Sequence, residues 1–342
     1  MAKKDNLSTI KNINRREFVK YAAALAAVSS LPISVKAASA DRWGTVLPTR
    51  RLGKTGIDVT CFAIGGGPFD ADYSKSEEII ETAIQRGCRF FETARNYGRG
   101  ASEEGFGKFL TPTYRKEITL MSKTEARDAD NVNRELDLSL KALKVDQLDI
   151  YLMHAIASPE DFENRRKNGV LDAMRKAKEE GKLKHIGFSG HADPFAHRYV
   201  IEQHIDDIEV VLMPINIADP TQSSFILNTL PKAIERNMGV IGMKIFAGGG
   251  FFGGNVVWGR QRGVARQRII PELLSTKEAQ HFSLSMPISA TTIGCHDKNH
   301  VNDNIDNVLS YSGMSQSERD LLIEKITAIA LAEPIEHYKA ID

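Results

Sequence analysis

The sequence predicts an α/β protein closed into a (β/α)8 TIM barrel, and three observations carry that prediction. From Val59 onward, short β-rich runs alternate with helical patterns eight times in one continuous stretch, which favours closure over an open sheet. The runs are apolar, as suits parallel strands buried on both faces. An open doubly wound sheet that binds a dinucleotide needs a Gly-x-Gly-x-x-Gly turn after its first strand. Gly65-Gly66-Gly67-Pro68 stands there instead.

The elements follow in order. Val59–Gly67 reads as the first strand and Ser74–Arg86 as its helix. Arg89–Glu92 is a short strand before the helix Glu103–Leu110. Ile118–Lys123 precedes Asn131–Leu143, and Asp149–His154 precedes Val170–Glu180. His185–Ser189 leads to Pro194–His204, and Val210–Asn216 to Phe225–Arg236. Val240–Ile245 is followed by a long irregular segment. Thr291–Cys295 is the eighth strand, with Asn299–Leu309 behind it, and a terminal helix spans Glu318–Ala332. The barrel domain is expected over residues 48–333, with a tail at 334–342.

The chain has 342 residues, and its 45 basic and 44 acidic side chains nearly cancel. That balance argues against a nucleic-acid partner, which requires a basic surface. The three cysteines, Cys61, Cys88 and Cys295, lack Cys-x-x-Cys spacing and read as buried thiols rather than a zinc site. An oxidising compartment leaves a Cys61–Cys88 bridge open.

Residues 1–40 read as an export signal. Lys3, Lys4, Lys11, Arg15 and Arg16 make the start basic, and Asn14-Arg15-Arg16-Glu17-Phe18-Val19-Lys20 resembles a twin-arginine motif. An Ala-rich stretch, Tyr21–Pro32, follows, and Ala38-Ser39-Ala40 offers small residues for cleavage. The expected partner is the twin-arginine (Tat) export machinery and the expected location periplasmic. No stretch of eighteen apolar residues occurs, so no integral span is expected.

A barrel places its chemistry at the C-terminal ends of its strands. There the second strand ends in Glu92-Thr93-Ala94-Arg95-Asn96-Tyr97, the third in Lys123-Thr124 and the fourth in His154. A carboxylate, a phenol, an ammonium and an imidazole thus meet at one rim, and polar groups at apolar strand ends are costly unless they pair.

These segments, with Ser102-Glu103-Glu104, Gly187-Phe188-Ser189, Ile293-Gly294 and Asn304, resemble the aldo/keto reductases over roughly Leu52–Leu309. The resemblance implies an NADP-dependent oxidoreductase, with NAD as the alternative cofactor, acting on a small carbonyl or alcohol. It implies Tyr97 as proton donor and acceptor, Lys123 lowering its pKa, Glu92 holding Lys123, and His154 orienting the carbonyl. The family usually carries aspartate where this chain has Glu92, so the Lys123 pair is expected with shifted geometry. For the cofactor it implies Ser189, Lys244, Gly248, Gly294, His300 and Asn304.

Departures are evident as well. Gly190-His191 and Leu212 stand about where the carboxamide's other partners belong. The aromatic residue expected to stack on nicotinamide is replaced near Met243-Lys244. The usual cationic pair near Gly294 and His300 is absent, although Lys298 is close. Arg260, Arg262, Arg266 and Arg268 follow the glycine-rich run Ala247–Gly254 and read as a loop over a pyrophosphate. Export argues for a tightly held cofactor loaded before transport. Two other classes remain: a metal-dependent barrel using His154, His185, His191 and Glu92, and a cofactor-binding sensor without turnover. Specificity is expected from loops near Asp70, Ile156–Asn168 and Phe251–Arg268.

Overall fold

The computed structural model describes residues 34–69, 75–257 and 261–339. Eight parallel strands close into a barrel: β1 (Phe62–Gly65), β2 (Phe90–Glu92), β3 (Thr119–Thr124), β4 (Leu148–Met153), β5 (Leu183–Ser189), β6 (Ile208–Pro214), β7 (Gly239–Met243) and β8 (Ala290–Gly294). Each pairs with its sequence neighbour, and β8 returns to β1 through Thr291↔Phe62 and Gly294↔Gly65. The predicted fold class is the observed one.

The period of two along each strand divides the molecule into two cores. Ala63, Phe90, Met121, Ile150, Leu152, Val210, Leu212, Ile241 and Ala290 pack together inside the barrel. Their sequence neighbours, such as Phe91, Leu120, Tyr151 and Val211, face outward into the larger core under the helices. This geometry positions the site. The inward register of β2 runs Phe90 to Glu92, that of β3 Met121 to Lys123, and that of β4 Leu152 to His154, so each inner apolar row ends in a polar group at the same rim.

The opposite end is plugged. Thr49–Arg51 and Asp58–Thr60 form an antiparallel hairpin whose Leu52 and Val59 join the interior core. The predicted first strand is therefore two strands, Asp58–Thr60 in the plug and Phe62–Gly65 in the barrel, separated at Cys61, whose N–H bonds the Pro48 carbonyl.

Two helices lie where the sequence was expected to be loop. Pro159–Lys167 is capped by Ser158, whose hydroxyl accepts from Asp161 N–H. Thr276–Leu284 starts in a capping box formed by Ser275 and Glu278. Both carried start signals of the expected kind, but a weak apolar stripe left them unread. Conversely, the helix expected over Phe225–Arg236 breaks into Phe225–Asn228 and Leu230–Glu235. Pro231 lacks the N–H that would continue the first helix.

At the N-terminal side, Val35–Lys36 pairs with Thr49–Arg50, and Ser39–Asp41 forms a hairpin with Gly44–Val46. Arg89, only 6 % exposed, binds both carboxylate oxygens of Asp41, at 2.7 and 3.0 Å. Ser39 and Ala40 of the small-residue segment therefore lie within a paired strand. The twin-arginine run 14–20, the apolar stretch 21–32, Asp70 and Arg260 lie outside the described residues. The tail segment 334–339 packs against the barrel mouth. There Ile335, His337, Tyr338 and Lys339 are buried, and Lys339 joins Asp219 and Glu336 at 2.9 and 2.6 Å. All three cysteines are buried free thiols. Among the described residues no helix is long and apolar enough to cross a membrane.

Candidate active site

At the C-terminal rim opens a cleft of about 1000 Å³. Its floor is reached by Glu92, Tyr97, Leu212, Lys244 and Thr292. It extends along Gly248 and Gly249 on one side and Gly294, His300 and Asn304 at the far end.

Lys123 is the hub of the floor and is 1 % exposed. Its ammonium pairs with Glu92 Oε1 and donates to the Thr93 carbonyl at 2.9 Å and to Tyr97 Oη at 3.0 Å. Nζ also stands 4.3 Å from the centre of the Tyr97 ring. Burial works against this charge, but Glu92 and then Tyr97 favour it, and the net pKa lies above the ordinary lysine value. Lys123 is therefore a permanent cation at neutral pH.

Tyr97 sits just past β2. Its neighbours Arg95 and Ser102 fasten that segment from below. Arg95 pairs at 2.7 Å with the fully buried Glu103, which accepts from Ser122 Oγ on β3 at 2.6 Å. Ser102 Oγ lies 2.7 Å from Thr93 Oγ1 and donates to the Gly66 carbonyl at 2.9 Å. These partners were visible in the sequence only as part of the Ser102-Glu103-Glu104 segment, with no sign of what they touch.

Lys123 lowers the Tyr97 pKa as expected, but the net shift is upward. Burial and then the Glu92 carboxylate push the phenol up, and Lys123 opposes them only in part. Tyr97 O–H also donates to Glu92 Oε1 at 3.4 Å, a bond that exists only while the phenol keeps its proton and that adds a smaller upward push.

Glu92 is longer than the usual aspartate, and the structure shows what accommodates it. A Cβ on residue 65 would stand 3.2 Å from Glu92 Oε2 and from the backbone at Ile293 and Gly294. Gly65 leaves that space for the longer arm. Oε2 then receives Thr292 Oγ1 at 3.5 Å, while Oε1 reaches Lys123 and Tyr97.

His154 stands with its ring 5.7 Å from that of Tyr97, edge to face. Its Nδ1 lies 3.8 Å from Glu125 Oε1 and makes no hydrogen bond. Burial, then Lys123, His191, Arg165 and Lys244, hold its pKa well below 6.5. It is a neutral imidazole.

The expected cofactor residues are less uniformly placed. Lys244, Gly248, Gly294, His300 and Asn304 line the cleft. Ser189 is 1 % exposed, and its Oγ accepts from Ala155 N–H at 3.4 Å. The Asn304 amide turns back to the His300 carbonyl at 2.6 Å. Lys298 pairs with Glu78 at 2.7 Å. Arg266 faces His337 Nδ1 at 3.2 Å, and Arg262 and Arg268 are exposed. Among the described residues no group of three or more His, Cys, Asp or Glu could hold a metal. His185, one of the candidate ligands, faces Glu209 at 3.0 Å.

A (β/α)8 barrel with a phenol, ammonium, carboxylate and imidazole converging from β2, β3 and β4 defines the class of protein. The chain belongs to the aldo/keto reductase family, whose model matches residues 62–312. It is 28 % identical over 189 residues to an NADP(+) aldo-keto reductase of Schizosaccharomyces pombe, a match covering 50 % of this chain and 54 % of that protein. It is 28 % identical over 214 residues to the L-galactose dehydrogenase of Arabidopsis thaliana, covering 58 % and 65 %. The matches thus span less than two thirds of either relative. In fold it is similar to the holo form of the aldo-keto reductase AKR11C1 from Bacillus halodurans, with a TM-score of 0.65, 19 % identity and coverage of 84 % and 99 %. It is also similar to a Klebsiella pneumoniae aldo-keto reductase in complex with NADPH, with a TM-score of 0.62, 17 % identity and coverage of 80 % and 94 %.

Proposed function

We propose that this protein is an oxidoreductase that interconverts a small carbonyl compound and its alcohol with NADP(H), Tyr97 supplying and recovering the proton. The observation that carries this reading is Tyr97 Oη in the cleft, 3.0 Å from the buried Lys123 ammonium. The NADP(+) of the yeast relative and the NADPH bound by the Klebsiella protein favour that cofactor over NAD.

The cleft suits a dinucleotide. Its length joins the catalytic floor to Asn304. At Gly249 an added Cβ would meet nothing within 4 Å, so the backbone there is open to a ligand. Gly248 and Gly249 have φ of +62° and +88°, a left-handed backbone that glycine adopts without a Cβ penalty. When bound, the reduced nicotinamide would supply the hydride.

The protein's own part is proton transfer and polarisation. His154, kept neutral, offers an N–H to the substrate oxygen without adding a competing charge. Tyr97 donates its proton to that oxygen as negative charge builds there. The resulting phenolate is held by Lys123 at the distance already in place, and Glu92 keeps Lys123 charged throughout. The elevated phenol pKa favours the reductive direction, because the resting side chain already carries the proton to be given.

A pH profile tests this. Reduction needs the protonated phenol, which is present below its raised pKa and lost above it. We expect kcat/KM for reduction to show no basic limb below a pH of about 10, the ordinary tyrosine value. A limb near neutrality that vanishes in Tyr97→Phe would show instead that Lys123 dominates the phenol.

We also infer that the chain is exported by the twin-arginine route, on the strength of Arg15-Arg16 and the apolar run behind them. Replacing both arginines by lysine should retain the protein in the cytoplasm. Unchanged export would defeat the inference.

A further inference from the structure

Glu92 and Lys123 stand on barrel strands, and His154 follows directly on β4. Tyr97 does not share that support. It lies out along the loop that begins where β2 ends at Glu92. A catalytic group carried on a loop is only as well placed as the contacts that hold the loop. The turn that follows Tyr97 is also an unfavourable one. Gly98, Arg99 and Gly100 take φ of +56°, +57° and +104° in succession, and Arg99 does so without the freedom of glycine. Surrounding structure must hold such a backbone in place.

Arg95 supplies that hold. Its guanidinium lies across Gly100, where an added Cβ would stand 1.5 Å from Nη2. Only glycine leaves room for it. Nη1 pairs with Glu103 Oε2 at 2.7 Å, and Glu103 Oε1 accepts from Ser122 Oγ at 2.6 Å. Ser122 is the residue before Lys123 on β3. The Arg95 N–H bonds the Lys123 carbonyl at 3.1 Å. Side chain and backbone of Arg95 are thus both tied to the strand that carries Lys123, one residue apart. The loop is registered against the ammonium that Tyr97 Oη meets at 3.0 Å.

A second tether flanks the first. The Asn96 amide donates to Glu125 Oε1 at 2.7 Å, just past the same strand. Asn96 is exposed and the Glu125 side chain is half exposed, so water competes for that contact. The Arg95 and Glu103 side chains are 18 % and 0 % exposed, and breaking a pair so enclosed is felt far more strongly. Arg95 is the tether that decides.

We propose that Arg95 is a positioning residue for the proton donor: anchored on Glu103, it holds the Tyr97 loop so that the phenol keeps its place against Lys123. This deepens the reductase reading and rests on it for what Tyr97 donates to, though not for the tether itself. The rival role is support of the first helical turn after Gly100, where Glu103 stands, with no consequence for Tyr97.

Arg95→Met and Glu103→Gln break the tether from its two ends and change the local charge in opposite senses. Burial raises the Glu103 pKa, so in Arg95→Met this carboxyl can take up a proton. Glu103→Gln is nearly isosteric and leaves Arg95 its access to water. Turnover of 4-nitrobenzaldehyde with NADPH is measured for each, beside fluorine NMR titration of protein labelled with fluorotyrosine. The Tyr97 line is assigned by its absence from Tyr97→Phe. In both variants kcat should fall by roughly ten- to a hundredfold, with KM for the aldehyde and Kd for NADPH within about twofold of wild type. Arg95→Lys should recover part of the loss. Freed from its buried place, the Tyr97 phenol should titrate lower than in the wild type in both variants, toward the exposed fluorotyrosines. Shifts of opposite sign would show that the charges alone act, and would overturn the positioning role. So would wild-type kcat and titration with a lowered Tm, which would reduce the pair to support of the helix. Downward shifts in both variants of a protein whose wild type turns over no aldehyde would uphold the tether and defeat the reductase reading. Wild-type turnover with the Tyr97 titration unmoved in both variants would do the reverse.

Discussion

Tyr97→Phe should lower kcat for carbonyl reduction by roughly 10²–10⁴-fold while leaving Tm and the Kd for NADPH nearly unchanged. The change removes one oxygen and little else. The ring keeps its place between the Lys123 ammonium, 4.3 Å from its centre, and the His154 imidazole at 5.7 Å. Lys123 keeps Glu92 and the Thr93 carbonyl as partners, so no buried charge is stranded. The lost function is the proton. His154 is a poor substitute, since burial and the neighbouring basic groups, Lys123 first, keep it from carrying a second proton at neutral pH. A kcat within about threefold of wild type would show that the proton comes from elsewhere and would remove Tyr97 from the catalytic role.

The contrast between what the sequence revealed and what it hid follows from the kind of interaction involved. The barrel strands were legible because their signal is local: a run of apolar residues is apolar whatever it packs against. The convergence of Glu92, Lys123 and His154 was legible through topology, because a parallel barrel places every strand end on one rim. Three other features required coordinates. The room for Glu92 comes from Gly65, a residue on the neighbouring strand whose role depends on the absence of a side chain. The direction of the Tyr97 shift depends on whether burial and Glu92 outweigh Lys123, a balance that no list of nearby residue types can decide. The packing of His337, Tyr338 and Lys339 into the mouth involves partners about 120 residues away in Asn216 and Asp219, and nothing in the tail's own pattern announces it. The missed helix Thr276–Leu284 is different, since its Ser275–Glu278 capping box stood in the sequence. Its polar face concealed it.

Removing the Glu92 carboxylate should be the most destabilising single change at the site. Glu92 and Lys123 are 4 % and 1 % exposed, so Glu92→Met leaves a buried ammonium without its carboxylate, with the Thr93 carbonyl and Tyr97 Oη as neutral partners. Breaking a buried pair from one side costs about 3–5 kcal/mol, and the thermal or denaturant midpoint should fall accordingly. The double variant Glu92→Met/Lys123→Met should recover much of that loss, because a pair removed whole leaves no charge to desolvate. It should remain inactive, since nothing would then hold a Tyr97 phenolate. Single and double variants of equal stability would mean that Lys123 sheds its proton once Glu92 is gone, and that the carboxylate's main effect is on the charge of Lys123. Glu92→Asp separates the remaining contributions. It preserves the charge but withdraws the carboxylate by one methylene, away from the 3.4 Å contact with Tyr97 Oη. With that acceptor withdrawn, Lys123 gains influence over the phenol. The Tyr97 pKa should fall and the basic limb of reduction should move to lower pH, while stability changes less than in Glu92→Met. The longer acid is thus part of what keeps Tyr97 protonated at rest, and this substitution measures how much.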